Sequence, residues 1–167
     1  MSITRDDQIR VRKLLQTKVG FLPLELIETI FDIAEYWVLE FTSNEKEVSE
    51  CNINLLYLCS QPIGHFEVMK VIVETCSHDQ GWASGVGSYT WSEIGIMTRN
   101  DDEKLRIPLY YNNRADASDQ ERTFEFQKHD QLIKGLDHGD RIAIWVRAMY
   151  PGWCHTISYA RIKVYCR

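Results

Sequence analysis

The chain has 167 residues, enough for one domain that buries a true core without covalent staples. Hydrophobic residues make up 44% and aromatics 11%, so burial can offset the entropy of ordering the chain, and disorder is excluded as the default state. A formal charge of −5 and a pI near 5.5 leave no general attraction for phosphate backbones, and no local basic stripe argues for DNA or RNA.

The opening MSITRDDQIRVRKLL lacks a signal-peptide h-region, and no later stretch approaches the roughly 20 apolar residues of a membrane-spanning helix. A cytoplasmic or nuclear protein with no membrane partner is expected. Residues 6–18 place Ile9, Leu14 and Leu15 among charges, with Asp6 and Asp7 where a helix dipole favours anions, and predict a short amphipathic helix. Gly20 suits its stop. In FLPLELIETIFDIAEYW, Leu22, Leu26, Ile30, Ile33 and Trp37 recur every three to four residues after Pro23, and a second helix is predicted there. Residues 42–50, TSNEKEVSE, are polar, so the chain divides into a helical segment over 1–45, a linker over 46–65 and a β domain over 66–167.

From residue 66 the chain alternates short β-branched and aromatic runs with Gly, Asn, Asp and His, predicting strands near 66–76, 87–97, 105–111, 122–128, 140–149 and 156–165. Ile142, Ile144, Val146 and Ala148 alternate with Arg141, Ala143, Trp145 and Arg147, as in a half-buried antiparallel strand. No segment between the strands is long enough for a helical crossover. The expected fold is mainly β: an antiparallel, jelly-roll-like β-sandwich preceded by two short α-helices.

Five cysteines, Cys51, Cys59, Cys76, Cys154 and Cys166, show no C-x-x-C spacing and read as reduced, mostly packed thiols. A metal site would need Cys76, His78 and His155 to converge; no metal and no cofactor is expected. Asp101, Asp102 and Glu103 read as a solvated turn. There is no G-x-S-x-G elbow, H-E-x-x-H, P-loop or dinucleotide fingerprint, so catalysis is not expected. A small hydrolase would require Ser77 or Cys76 to meet His78 or His155 in a pocket.

Two segments carry resemblances. The run Leu22-Pro23-Leu24-Glu25-Leu26 followed by Ile30-Phe31, as L-P-x-E-L-x-x-x-I-F, resembles the opening of the F-box family. The resemblance implies that Leu22, Pro23, Leu26, Ile30 and Phe31 anchor a partner protein, a Skp-type adaptor of a ubiquitin ligase. Only about fifteen residues match a module of roughly forty, and the alternative is a helix docked on the protein's own sheet. Together with LPLELIETIFDIAEYW, the segments SHDQGW (77–82), GSYTWSE (87–93), GDR (139–141) and YPGW (150–153) resemble a group of small fungal proteins, across most of the chain after residue 20. The β half also resembles the jelly-roll domains that follow F-boxes and the plant phloem lectins, which implies carbohydrate or glycoprotein bound by the loops at one end. Rings to stack on a sugar and amide or carboxylate groups for its hydroxyls are offered by Trp82, Trp91 and Trp153 with His78, Asp79 and Gln80, and His155 lies nearby in sequence. The expectation is a non-catalytic protein-interaction module, with a lectin-like carbohydrate-binding module as the alternative.

Overall fold

The computed structural model describes residues 3–19, 22–83 and 85–167. Helix α1 (Arg5–Lys18) begins with a capping box: the Asp7 N–H donates to Thr4 Oγ1 at 3.2 Å and the Thr4 N–H donates to the Asp7 carboxylate at 3.0 Å. The stop expected at Gly20 lies outside the described residues. Helix α2 (Leu24–Ile33) starts directly after Pro23, whose fixed φ suits a helix entry. Its Ile27 and Phe31, one turn apart, are buried, whereas Leu24, Leu26, Ile30 and Ile33 are exposed. Phe31 therefore belongs to the face that seats the helix on the rest of the protein; it is not an anchor open to a partner.

The described residues form nine strands: β1 (Val38–Asn44), β2 (Val48–Cys51), β3 (Asn54–Cys59), β4 (Val68–Asp79), β5 (Thr90–Met97), β6 (Glu103–Tyr111), β7 (Gln120–Gln127), β8 (Arg141–Ala148) and β9 (Cys154–Cys166). A single-turn helix α3 (Gln131–Lys134) precedes β8. One sheet has the order β1-β9-β4-β7, with β2 continuing β1 along β9; the other has the order β3-β8-β5-β6. Every pairing is antiparallel. Along the chain the strands cross repeatedly from one sheet to the other, which is the jelly-roll arrangement of a sandwich. All six strands expected after residue 66 are present.

Residues 46–65, expected to be a linker, instead hold β2 and β3, and the sandwich begins at Val38. The polar run 42–50 misleads for β2 because that strand lies at a sheet edge, where one face and one rim stay in water, whereas β3 is the apolar run NLLYLC, too short to stand out beside its polar neighbours. β1 and β2 read as one strand interrupted at residues 45–47, opposite the place where β9 carries an extra residue, Ser158, in its ladder with β4.

The core lies between the sheets. Val71, Val73, Ile157, Ile162 and Val164 from one sheet meet Ile94, Ile96, Ile142, Ile144 and Val146 from the other. The alternation read in β8 holds, with Ile142, Ile144 and Val146 inward. Gly95 allows β6 to close on β5, since a Cβ there would collide with the Leu105 carbonyl.

The two ends of the sandwich differ. Residues 52–53, 80–83, 85–89, 112–119 and 149–153 belong to the loops of one end; both long helices and the segments 60–67, 98–102 and 128–140 gather at the other. Arg167 pairs with Glu28 at 3.3 Å and Asp32 at 2.6 Å, fixing α2 to the end of β9.

Cys51 and Cys154 are directly opposed across the β2–β9 pairing and form a disulfide. The reading of all five cysteines as reduced thiols is corrected accordingly: register, invisible in the spacing of a sequence, brings together residues 103 positions apart. Cys76 and Cys166 are buried and free, and Cys59 is half-buried and free.

Thiol titration of the denatured, unreduced protein is expected to find three thiols, rising to five after reduction. Gly95→Ala is expected to destabilise the protein by about 1–3 kcal/mol in denaturant unfolding, because the β5–β6 backbones must separate.

Candidate functional site

The loop end is built outward from β4. Its residues 71, 73, 75, 77 and 79 point between the sheets, so Ser77 and Asp79 follow Val71, Val73 and Thr75 inward and are buried. The Asp79 carboxylate accepts the Gln80 N–H at 2.6 Å and the Ala115 N–H at 3.0 Å, while the Asp79 N–H donates to the Asp116 carbonyl at 3.1 Å. Asp79 thus fastens the 112–119 loop to the end of β4. Gln80 is also spent internally: Nε2 donates to the Trp82 carbonyl at 2.8 Å, and Oε1 accepts the Cys154 N–H at 3.1 Å. Both residues were expected to meet ligand hydroxyls; they hold loops together.

Beneath them is a buried polar network. Asn112 Oδ1 accepts from Ser77 Oγ at 2.9 Å, its Nδ2 donates to Thr90 Oγ1 at 3.2 Å, and its carbonyl accepts from Ser88 Oγ at 3.0 Å. The Tyr110 hydroxyl lies 2.8 Å from Ser77 Oγ and 2.9 Å from Ser92 Oγ. Sequence reasoning missed this network. Period-two counting through β4 would have turned Ser77 and Asp79 inward, but nothing local marks Asn112 as their partner.

The tryptophans separate. Trp82 is 58% exposed and lies over Gly152, whose added Cβ would sit 3.4 Å from the indole. Trp153 is buried, with Tyr89 edge-on to it at 5.0 Å. Tyr89 meets Tyr150 in the same way, also at 5.0 Å. Tyr150 is 52% exposed and holds φ at 79°, a conformation that a bulky residue adopts only when its surroundings enforce it. Val86 at the loop tip is 99% exposed.

Trp91 is elsewhere, on the outer face of the second sheet. Its Nε1 donates to Glu93 at 2.8 Å, Arg147 lies 5.2 Å above its ring, and Arg106 pairs with Glu93 at 2.5 Å while covering Trp145. It belongs to a face sealed by its own ion pairs and is not part of the loop cluster.

Of the groups weighed for metal binding or hydrolysis, Ser77 and His155 are both inside the sandwich, where Ser77 Oγ bonds Tyr110 and Asn112 and His155 Nδ1 bonds the Arg147 carbonyl. Cys76 and His78 lie on the outer face of β4, with His78 Nε2 4.0 Å from Asp119. Burial, reinforced by the Asp119 charge, pushes the Cys76 thiol up, away from the thiolate a nucleophile needs. Among the described residues no group of three or more His, Cys, Asp or Glu is placed to hold a metal ion.

His155 is inside the sandwich. Its Nδ1 donates to the Arg147 carbonyl at 3.1 Å, and Nε2 is buried without a hydrogen-bond partner of good geometry among the described residues. Burial lowers its pKa from 6.5 to about 4, against the pull of that carbonyl.

No protein-family model matches the chain, and no curated protein matches it. Among solved structures it is similar to dimeric latent PorU from Porphyromonas gingivalis, with 7% identity over 78% of this chain and 13% of that one, at a TM-score of 0.47. The infectious bursal disease virus Gt strain structure shares 8% identity over 77% of this chain and 33% of its own, at 0.49. Tailspike protein 4 of bacteriophage CBA120 shares 8% over 74% and 19%, at 0.39. The chain spans a third or less of each of these, and likenesses this distant transfer neither activity nor partner. No described helix is long and apolar enough to cross a membrane.

A histidine kept neutral by the fold makes the unfolded chain the stronger proton binder, so its stabilisation is complete above pH 6.5 and is lost as pH falls toward 4. Urea unfolding across this window is expected to show a loss of about 3 kcal/mol in the native protein that His155→Leu lacks.

Proposed function

We propose that this protein is a non-catalytic protein-interaction module in which α2 docks on a partner protein and the loop end of the sandwich presents a recognition surface. The observation that carries the reading is the division of α2 into two apolar faces. Ile27 and Phe31 are buried within the protein, Phe31 against Tyr36 and Arg12, leaving Leu26, Ile30 and Ile33 at i, i+4 and i+7 with exposures of 50%, 41% and 81%. Such a stripe is the form in which an amphipathic helix fills a partner's groove. A helix needed only for its own fold would cover those residues.

The L-P-x-E-L-x-x-x-I-F pattern supports a Skp-type adaptor as the partner, with Leu22, Pro23, Leu26 and Ile30 on the contact side, and hence a ubiquitin-ligase role in which the sandwich selects the substrate. The lectin-like alternative loses its polar half, because Asp79 and Gln80 are turned to backbone groups of the protein itself.

Leu26→Asp with Ile30→Asp is expected to keep the circular dichroism of the native protein and to lower its unfolding midpoint only slightly, since neither side chain is buried. The same variant is expected to abolish recovery of a Skp-type adaptor in a pull-down. Recovery by native protein and variant alike, or by neither, would refute the docking role. Phe31→Ala, by contrast, is expected to cost about 3–5 kcal/mol of stability.

A further inference from the structure

The five cysteines divide by where the fold puts their sulfurs. Burial pushes the Cys166 thiol up to about 12 and raises those of Cys59 and Cys76, so the thiolate that exchange chemistry requires is withheld from all three. Cys51 and Cys154 are placed differently. His155 and Ile157 turn inward from β9, so Cys154, one residue before His155, belongs to the outer face of the sheet, with Cys51 directly opposite. Cys51 is exposed, Cys154 is half-buried, and neither belongs to the core between the sheets. Because β2 pairs with β9 alone, their disulfide lies on the water-facing side of a sheet and at its rim. Exposed disulfides are the labile ones, open to regulation, whereas buried ones resist reduction.

The sandwich does not rely on this bond for its shape. The Asn52 N–H donates to the Trp153 carbonyl at 3.1 Å, the Cys154 N–H to Gln80 Oε1 at 3.1 Å, and the Ala148 N–H to the Ile53 carbonyl at 2.9 Å. A disulfide joining residues 103 positions apart acts chiefly on the unfolded chain, so breaking it in the folded protein leaves the β4–β9 ladder and the core in place. The same contacts hold the two sulfurs face to face once reduced, which favours their pairing with each other again over pairing with a foreign thiol. What does depend on the bond is β2. It is four residues long, only Val48 packs against the core, and beyond its ladder it is secured by Ser49 Oγ lying 2.7 Å from Thr156 Oγ1.

We infer that Cys51–Cys154 is a thiol-exchange site, a reversible clasp on the β2 edge whose co-reactant is a dithiol reductant. A thiolate of the dithiol attacks Cys51 Sγ, and Cys154 leaves as a thiolate that takes a proton. The second thiol of the reductant then displaces Cys51, which is protonated in turn as the reductant closes its own disulfide. Two electrons and two protons pass to the chain, and the dithiol is oxidised. In the reduced state β2 opens locally while the sandwich stays folded. The site is independent of α2 and of any partner docked there.

The test is reduction of the full chain by dithiothreitol without denaturant, followed by iodoacetamide labelling and peptide mapping by mass spectrometry. Cys51 and Cys154 are expected to be unlabelled before reduction and labelled after it, with the circular dichroism unchanged, and oxidised glutathione is expected to restore the unlabelled state. Hydrogen exchange of the amides at 49–52 is expected to quicken about tenfold on reduction, with β4 and β8 as protected as before. Labelling of either cysteine without reductant would overturn the inference, as would a bond that yields only in denaturant or a reduction that unfolds the whole protein. Equal exchange at 49–52 in the two states would overturn the clasp. Cys51→Ser with Cys154→Ser is expected to exchange fast at 49–52 with or without dithiothreitol; a variant that still responds to the reductant would assign the effect to another thiol and overturn it too.

Discussion

The ladder between β4 and β9 is the constraint on which the rest depends. It runs from Val68 opposite Cys166 to Asp79 opposite His155 and joins the two longest strands at the centre of their sheet. β1 and β2 attach only to β9, and β7 attaches only to β4, so the whole first sheet takes its register from this pair. One extra residue, Ser158, shifts that register, keeping Ser77 and Asp79 in phase with the core side of β4 and turning His155 inward beside them. Without the shift, a one-residue slip would send these groups to solvent and leave the loop end with nothing to close on.

Much of the fold was legible because strands with one face buried write their period into the sequence. β8 alternates so regularly that its two faces could be separated before any pairing was known. β1 and β2 were illegible because edge strands satisfy water on two sides: Thr42, Ser43, Ser49 and Glu50 look like linker residues until β9 is laid beside them. The two N-terminal helices were read, although α2 ends at Ile33 short of Trp37 and the single turn α3 was not expected; the partition of α2 was missed, since periodicity marks apolar positions and cannot say which of two stripes finds a partner within the chain.

The site was legible in its location more than in its roles. Trp82 and Trp153 do share one end of the sandwich, and the turn-forming Gly81 and Gly152 do shape it, with φ of 82° and 90°. Asp79 and Gln80 looked like ligand groups because carboxylate and amide chemistry is the same whether the hydrogen-bond donor is a sugar hydroxyl or a backbone N–H. Burial decides between the two, and burial here comes from loop 112–119, more than thirty residues away. The same non-locality hid the disulfide.

The grip of Arg167 on α2 has a consequence for how the molecule can be held. It gathers α2 and the close of β9 at one pole, while the loops around Trp82 and Trp153 occupy the other. Anything tethered through either of those segments, whether a fused domain or a docked adaptor, leaves the far pole unshadowed and pointing away from the attachment.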